Sequence, residues 1–148
     1  MMREFFWAIT TPIRRLKHIA AWLPVLWHDY DWDHAYLLSM IAFKLRRMQR
    51  YHETLGITDG RFRTARQLQI CAILLERMRS NSYIDQDLEA LREATAPGLD
   101  AIERLKRKIS PEEAREYKRL FAKETMMYNQ DLELFLTYFK KYHRSWWD

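Results

Sequence analysis

LWHDYDWDHAYLLSMIAFKLRRMQRYH, residues 26–52, is the stretch that decides the fold. An acidic and aromatic knot runs directly into a segment whose apolar residues, Leu37, Ile41, Leu45, Met48 and Leu55, recur with a helical period, with His52 in phase. Tyr36, Met40, Phe43 and Tyr51 widen that face. Asp31 reads as the N-cap, because its carboxylate can accept from the free amides of the first turn and suits the positive end of the helix dipole. Gly56 reads as the stop. The opposite face carries Lys44, Arg46, Arg47 and Arg50.

Toward the C-terminus, Thr58, Asp59 and Gly60 make a turn, and Arg61 opens a second helix, RFRTARQLQICAILLERM. Its apolar positions, Phe62, Ala65, Leu68, Ala72, Leu75 and Met78, predict an antiparallel hairpin of about 33–55 and 60–79. Ser80 to Tyr83 read as a loop, Asp85 to Thr95 as a short charged helix or turn, and Ala96-Pro97-Gly98 as a break. Residues 99–109 read as one or two solvated turns. Ser110-Pro111-Glu112-Glu113 then combines a Ser cap, Pro at the first helical position and Glu three residues after the cap. Tyr117, Phe121, Tyr128, Leu132, Phe135, Phe139, Tyr142 and Trp146 continue by threes and fours, which predicts a long helix packed across the hairpin with aromatic surface to spare.

Toward the N-terminus, Pro12 and Pro24 divide residues 1–25 into an arm or short helices, with a break expected near Leu23 because the residue before proline is pushed out of the α region. Arg14, Arg15 and Lys17 precede an apolar run, Ile19 to Trp27, that is too short and too soon interrupted for a membrane span, and no small-residue cleavage site follows. No membrane association is expected.

The chain of 148 residues is therefore read as one all-α domain, 1–148, with body 26–148, a small helical bundle built on the hairpin. A domain of this size buries roughly 70% of the surface its unfolded chain exposes, so no staple is needed. Three Gly and four Pro leave little room for sheets and turns. The single cysteine, Cys71, excludes an internal disulfide and reads as an inert core thiol. The net charge of +5 is uneven: residues 1–84 hold 13 Lys and Arg against 7 Asp and Glu, and residues 85–148 hold 12 against 13. The cationic first half favours an anionic partner.

No catalytic signature stands out. His28, Asp29, Asp31, Asp33 and His34 crowd together, but no second Cys/His group supplies the convergent ligands a zinc site needs, so they read as capping groups with Trp32 packed beneath. No nucleophile, base and orienter can be assembled, and no glycine-rich phosphate loop occurs. Neither catalysis, cofactor nor metal is expected. The informative set is basic: Arg47 and Arg50 at the end of the first long helix, and Arg61, Arg63 and Arg66 at the start of the next, should meet at one end of the hairpin. Guanidinium groups grip phosphate bidentately, while Tyr51 or Trp32 could stack on a base. The alternative is a solvated basic face.

The segments LWHDYDWDHAYLLSMIAFKLRRM and ARQLQICAILLERM, with the terminal SWWD, resemble a group of small helical proteins encoded by tailed bacteriophages. Trp27, Asp29, Asp31, Trp32, Asp33, Tyr36, Leu37, Leu38, Lys44, Leu45 and Met48 carry the likeness, joined by Leu74 to Arg77 and by Trp146, Trp147 and Asp148. It covers residues 26–79 and the last three, and leaves 1–25 and 80–110 unmatched. The resemblance implies an accessory protein in the cytoplasm of an infected bacterium. One recurring task among such phage proteins is to sequester the cyclic nucleotides that serve bacterial immunity as signals, using helical homo-oligomers with Arg and aromatic residues at their interfaces. The leading expectation is thus a nucleotide sponge. The runner-up is a helical interaction or inhibitor module acting through its aromatic surface and Trp146-Trp147, and the third is direct nucleic-acid binding.

Overall fold

The structure, a computed structural model, describes the backbone of residues 2–27, 33–55 and 60–146, and the side chains of all of these except 2–10, 101 and 105. Among the described residues every regular element is helical: α1 (Met2–Leu26), α2 (His34–Thr54), α3 (Arg61–Ser80), α4 (Asp85–Thr95), α5 (Ala101–Lys106), α6 (Pro111–Tyr142) and a closing 3₁₀ turn (His143–Trp146).

The expected hairpin is α2 and α3. Its antiparallel order follows from two cross-links: Arg46 reaches Glu76, while His52 and the side chain of Gln67 both meet Trp146. Asp33, not Asp31, is the N-cap of α2; its backbone is extended and Oδ1 accepts from the Ala35 amide at 2.9 Å. Asp31 and Gly56 lie outside the described residues. The buried face of α2 keeps Leu45 and His52 of the expected stripe, with Ile41 and Met48 packed at its edge, but departs from it at both ends. It runs through Leu38, Ala42, Leu45, Gln49 and His52, while Leu37 is 54% exposed and Leu55 is exposed. Two polar residues can take core positions because they are hydrogen-bonded. Gln49 accepts from Arg46 and donates to Glu53, and His52 Nε2 donates to the Trp146 carbonyl at 3.3 Å.

The centre of the core belongs to α3. Leu68, Cys71, Leu75 and Met78 are fully buried, and Ala42, Leu45, Ala72, Leu74, Phe135 and Trp146 surround them. Each such large apolar side chain contributes about 1.5–3 kcal/mol relative to exposure. Phe62, expected inside, lies outside the core. Asn81 ends α3 in the left-handed conformation (φ 48°), which Asn tolerates through local hydrogen bonding.

Helix α6 starts as its sequence predicts, with Ser110 Oγ accepting from the Glu113 amide at 3.2 Å and Pro111 in the first turn. Glu113 does something else, however. Its carboxylate turns inward, 5% exposed, and accepts from the Thr95 hydroxyl at 3.1 Å and from Arg107, tying the α4–α5 corner to α6. Farther along, Asp131 is buried where it accepts from the Tyr83 hydroxyl at 2.7 Å and pairs with Arg77 at 3.1 Å. Burial of the Tyr83 phenol, and then that hydrogen bond, raise its pKa. At the far end the 3₁₀ turn folds Trp146 into the core, where it is 3% exposed and Nε1 donates to Gln67 at 3.2 Å.

The N-terminal region corrects the sequence reading most. No break occurs near Leu23, and α1 continues through both Pro12 and Pro24. Pro24 sits in the last turn, and beyond it the helix closes with the bond from the Trp27 amide to the Leu23 carbonyl at 2.9 Å. The carbonyl it frees belongs to exposed Ala20, so water can take the missing donor's place. Contact with the body is narrow. Trp22 packs edge to face on Phe43 with ring centroids 4.8 Å apart, and Arg47 donates to His18 Nδ1 at 3.2 Å.

Candidate functional site

A cleft of about 720 Å3 opens where the end of α1 meets the α2–α3 pair. Pro24 and Val25 form one wall, and Tyr36, Ala42 and Phe43 give an apolar floor. Arg46, Arg50 and Arg79 supply three guanidinium groups, opposed by Asp33 and Glu76. The two carboxylates are engaged. Asp33 caps α2, and Glu76 receives Arg46 bidentately, at 2.9 Å from Nε and 2.6 Å from Nη2. That hydrogen-bonded pairing holds the Glu76 carboxyl below its ordinary value of 4.5 and raises Arg46. Among the described residues no carboxylate lies within ion-pair distance of Arg50 or Arg79. Arg79 acts on Glu76 only through the longer-range Coulomb attraction that also helps to lower its carboxyl, and Arg50 has no such partner at ion-pair distance among these residues.

The basic residues singled out from sequence are divided among several surroundings. Arg50 lines the cleft. Arg47 turns toward α1, with its guanidinium 5.7 Å from the Phe43 ring centroid. Arg61 lies over the Phe62 ring at 4.7 Å, Arg66 donates to Gln69 at 2.7 Å, and Arg63 is exposed. Tyr51 is exposed with its ring edge-on to His52, and Trp32 lies outside the described residues. The cleft instead recruits Arg46 and Arg79, which sequence reasoning passed over. Arg46 was visible only as part of a solvated face; which cations stand opposite it depends on the register of α3 against α2.

Two other hollows differ in kind. Beside the α4–α5 corner, about 430 Å3 is lined by Arg92, Arg104, Arg107, Glu113 and Tyr117, but each arginine there faces a glutamate: Arg92 with Glu89, Arg104 with Glu89 and Glu93, Arg107 with Glu113. The arrangement is charge-balanced and structural. A third, of about 320 Å3, is an apolar groove between Trp22 of α1, Leu37, Met40 and Met48 of α2, and Phe139 and Trp146 at the chain end.

The serine hydroxyls of the cleft point back into their own helices, Ser39 donating to the Ala35 carbonyl at 2.9 Å and Ser80 to the Arg77 carbonyl at 3.0 Å. Cys71 is fully buried, and desolvation pushes its thiol up to about 11, away from the reactive thiolate. His52, with Nε2 donating, has a buried Nδ1 that finds no partner among the described residues. Among those residues no group of three or more His, Cys, Asp or Glu could hold a metal ion, and His28, Asp29 and Asp31 lie outside them. No described helix is long and apolar enough to cross a membrane. Compared with known proteins, the chain matches no family model, no curated protein and no solved structure.

Proposed function

We propose that the protein is a non-enzymatic binder of a small phosphate-bearing ligand, held in the cleft between α1, α2 and α3. The supporting observation is the placing of Arg50 and Arg79, neither within ion-pair distance of a described carboxylate, beside the aromatic floor of Phe43 and Tyr36 in a space of about 720 Å3. That volume falls within the roughly 300–1,000 Å3 of small-molecule sites. Guanidinium groups grip phosphate oxygens in pairs, and an aromatic ring offers a purine its face. The Arg46–Glu76 pair fixes the cleft wall, while the exposed Arg50 and Arg79 side chains are ordered on the ligand at some entropic cost. Joined to the phage-like sequence signature, this makes a cyclic nucleotide used as a bacterial immune signal the most concrete ligand, and sequestration in the infected cell the task.

Calorimetric titration with a panel of cyclic di- and trinucleotides tests the reading. Binding by at least one member, weakened at least tenfold by Arg50→Ala or Arg79→Ala and spared by Arg63→Ala, is expected. No heat with any member at tens of micromolar sinks it. A long nucleic acid bound with a steep salt slope would point to the backbone-tracking reading instead.

The apolar groove supports a second reading, a module that docks on another protein. Trp146, expected to be offered to such a partner, is buried, and Trp147 lies outside the described residues, so this reading now rests on Leu37, Met40, Met48 and Phe139. A host protein co-purifying with the chain, lost on Met40→Glu and indifferent to Arg50→Ala, would favour it.

A further inference from the structure

Helix α1 touches the rest of the chain along one narrow face, on which Thr11, Trp22 and Val25 are half-buried. Its opposite face carries Ile13, Leu16, Ala20, Leu23 and Trp27, spaced alternately by three and four residues, and all five are exposed. Leu16 is 64% exposed, Leu23 51% and Trp27 77%. Ile19 and Leu26 widen the stripe on the side where Trp22 borders the apolar groove. The spacing is that of a coiled-coil seam, which needs a second helix to lie along it. No other described element covers it.

We propose that α1 pairs antiparallel with α1 of a second copy of this chain. Three observations select that occupant. The first is charge. Arg14, Arg15 and Lys17 gather at one end of the stripe, and the last turn of α1 has no basic residue to offset the negative end of its dipole. Of these three only Lys17 flanks the stripe; parallel pairing would set the Lys17 side chains of both copies at one level, whereas antiparallel pairing brings each beside the other's bare helix end. Asp33, at the start of α2, adds negative charge close behind in sequence.

The second observation is shape. A two-fold axis midway between Ala20 and Leu23 places Ala20 against the second copy's Leu23, and Leu16 against its Trp27. Small meets large at the crossing, so the two helices can approach closely, and each contact occurs twice as a two-fold interface requires. The third is area. The exposed portions of Leu16, Ile19, Leu23, Leu26 and Trp27, the residues within the overlap, come to roughly 600 Å2 per copy, against the ~800 Å2 per partner of a standard-size interface. This surface is separate from the cleft cations Arg50 and Arg79, so pairing and ligand binding can fail independently.

Sedimentation equilibrium of the full chain at tens of micromolar should give twice the 18.2 kDa chain mass. The doubly substituted Leu16→Glu, Leu23→Glu chain should give the single mass with unchanged helical circular dichroism. Pairing direction is read by mild oxidation of an equimolar mixture of chains carrying Ala20→Cys and chains carrying Leu23→Cys. Facing positions lie within disulfide reach, so the mixed disulfide should dominate. Disulfides formed only between like chains overturn the antiparallel arrangement. A monomeric parent chain that forms no mixed disulfide overturns the pairing altogether, as does a monomer that floats with phosphatidylglycerol vesicles through the same stripe.

Discussion

Helices α1 and α3 are both long and both carry apolar residues at helical spacing, yet α3 is the centre of the core and α1 keeps its stripe in solvent. The difference lies in what surrounds them. Helix α3 has α2 along one side, α6 along another, and Trp146 closing the end. Helix α1 meets α2 along one narrow face, through Trp22 on Phe43 and His18 on Arg47. A periodic pattern therefore states which face of a helix is apolar and leaves open what covers it.

That contrast can be broken experimentally, beginning where the effect is largest. Trp146→Ala removes a buried indole and should cost about 3–5 kcal/mol, read by urea denaturation. Leu68→Ala at the centre of α3 should cost about 2–5 kcal/mol, the spread reflecting how far the site can collapse. Asp131→Ala leaves the half-buried Tyr83 hydroxyl without its acceptor and should cost about 1–3 kcal/mol, whereas Tyr83→Phe, which removes the donor, should cost less. If both cost nothing, the clamp between α6 and the 81–84 loop contributes nothing to stability.

The Arg46–Glu76 pair is smaller still, because the Glu76 side chain is well exposed. A carboxyl held low in the folded chain adds stability above its ordinary value of 4.5, and that stability disappears as the pH falls through the folded value. Glu76→Gln should therefore narrow the gap between neutral and acid stability by less than about 1 kcal/mol; an unchanged acid profile would show the pair to be neutral. Smallest of all, Leu16→Ala should shift the stability of the monomer by no more than about 0.5 kcal/mol, measured at dilution. A loss there as large as that of Leu68→Ala would mean that α1 is core after all.

The sequence made much of this architecture legible. Helical spacing and the scarcity of glycine gave the all-α class and the hairpin, and Ser110-Pro111 gave the start of α6, because these signals are local. Besides the continuity of α1 through its prolines, further features escaped it. The N-cap fell to Asp33 in place of Asp31 because aspartates at every second position offer the same local chemistry, and only the actual first turn chooses between them. The burial of Gln49 depended on its hydrogen bonds to Arg46 and Glu53, and the partner of His52, the Trp146 carbonyl, lies 94 residues away. The cleft cations Arg46 and Arg79 emerge only once α3 is set in register against α2. In the same way, Arg47 and Arg50, one turn apart on one helix, are sent to different surroundings by the position of α1.

The hydrogen bonds of Trp146 also bear on the order in which the molecule assembles. They close chain separations of 79 and 94 residues, while α2 and α3 need only a short turn to find one another. Closing a long loop loses more chain entropy before any contact compensates for it, so the hairpin forms early and the indole arrives late. Until it does, Gln67 and His52 have only water to bond, and the end of the hairpin stays open. Trp146 is thus a clasp: it does little to start the fold and much to keep it shut.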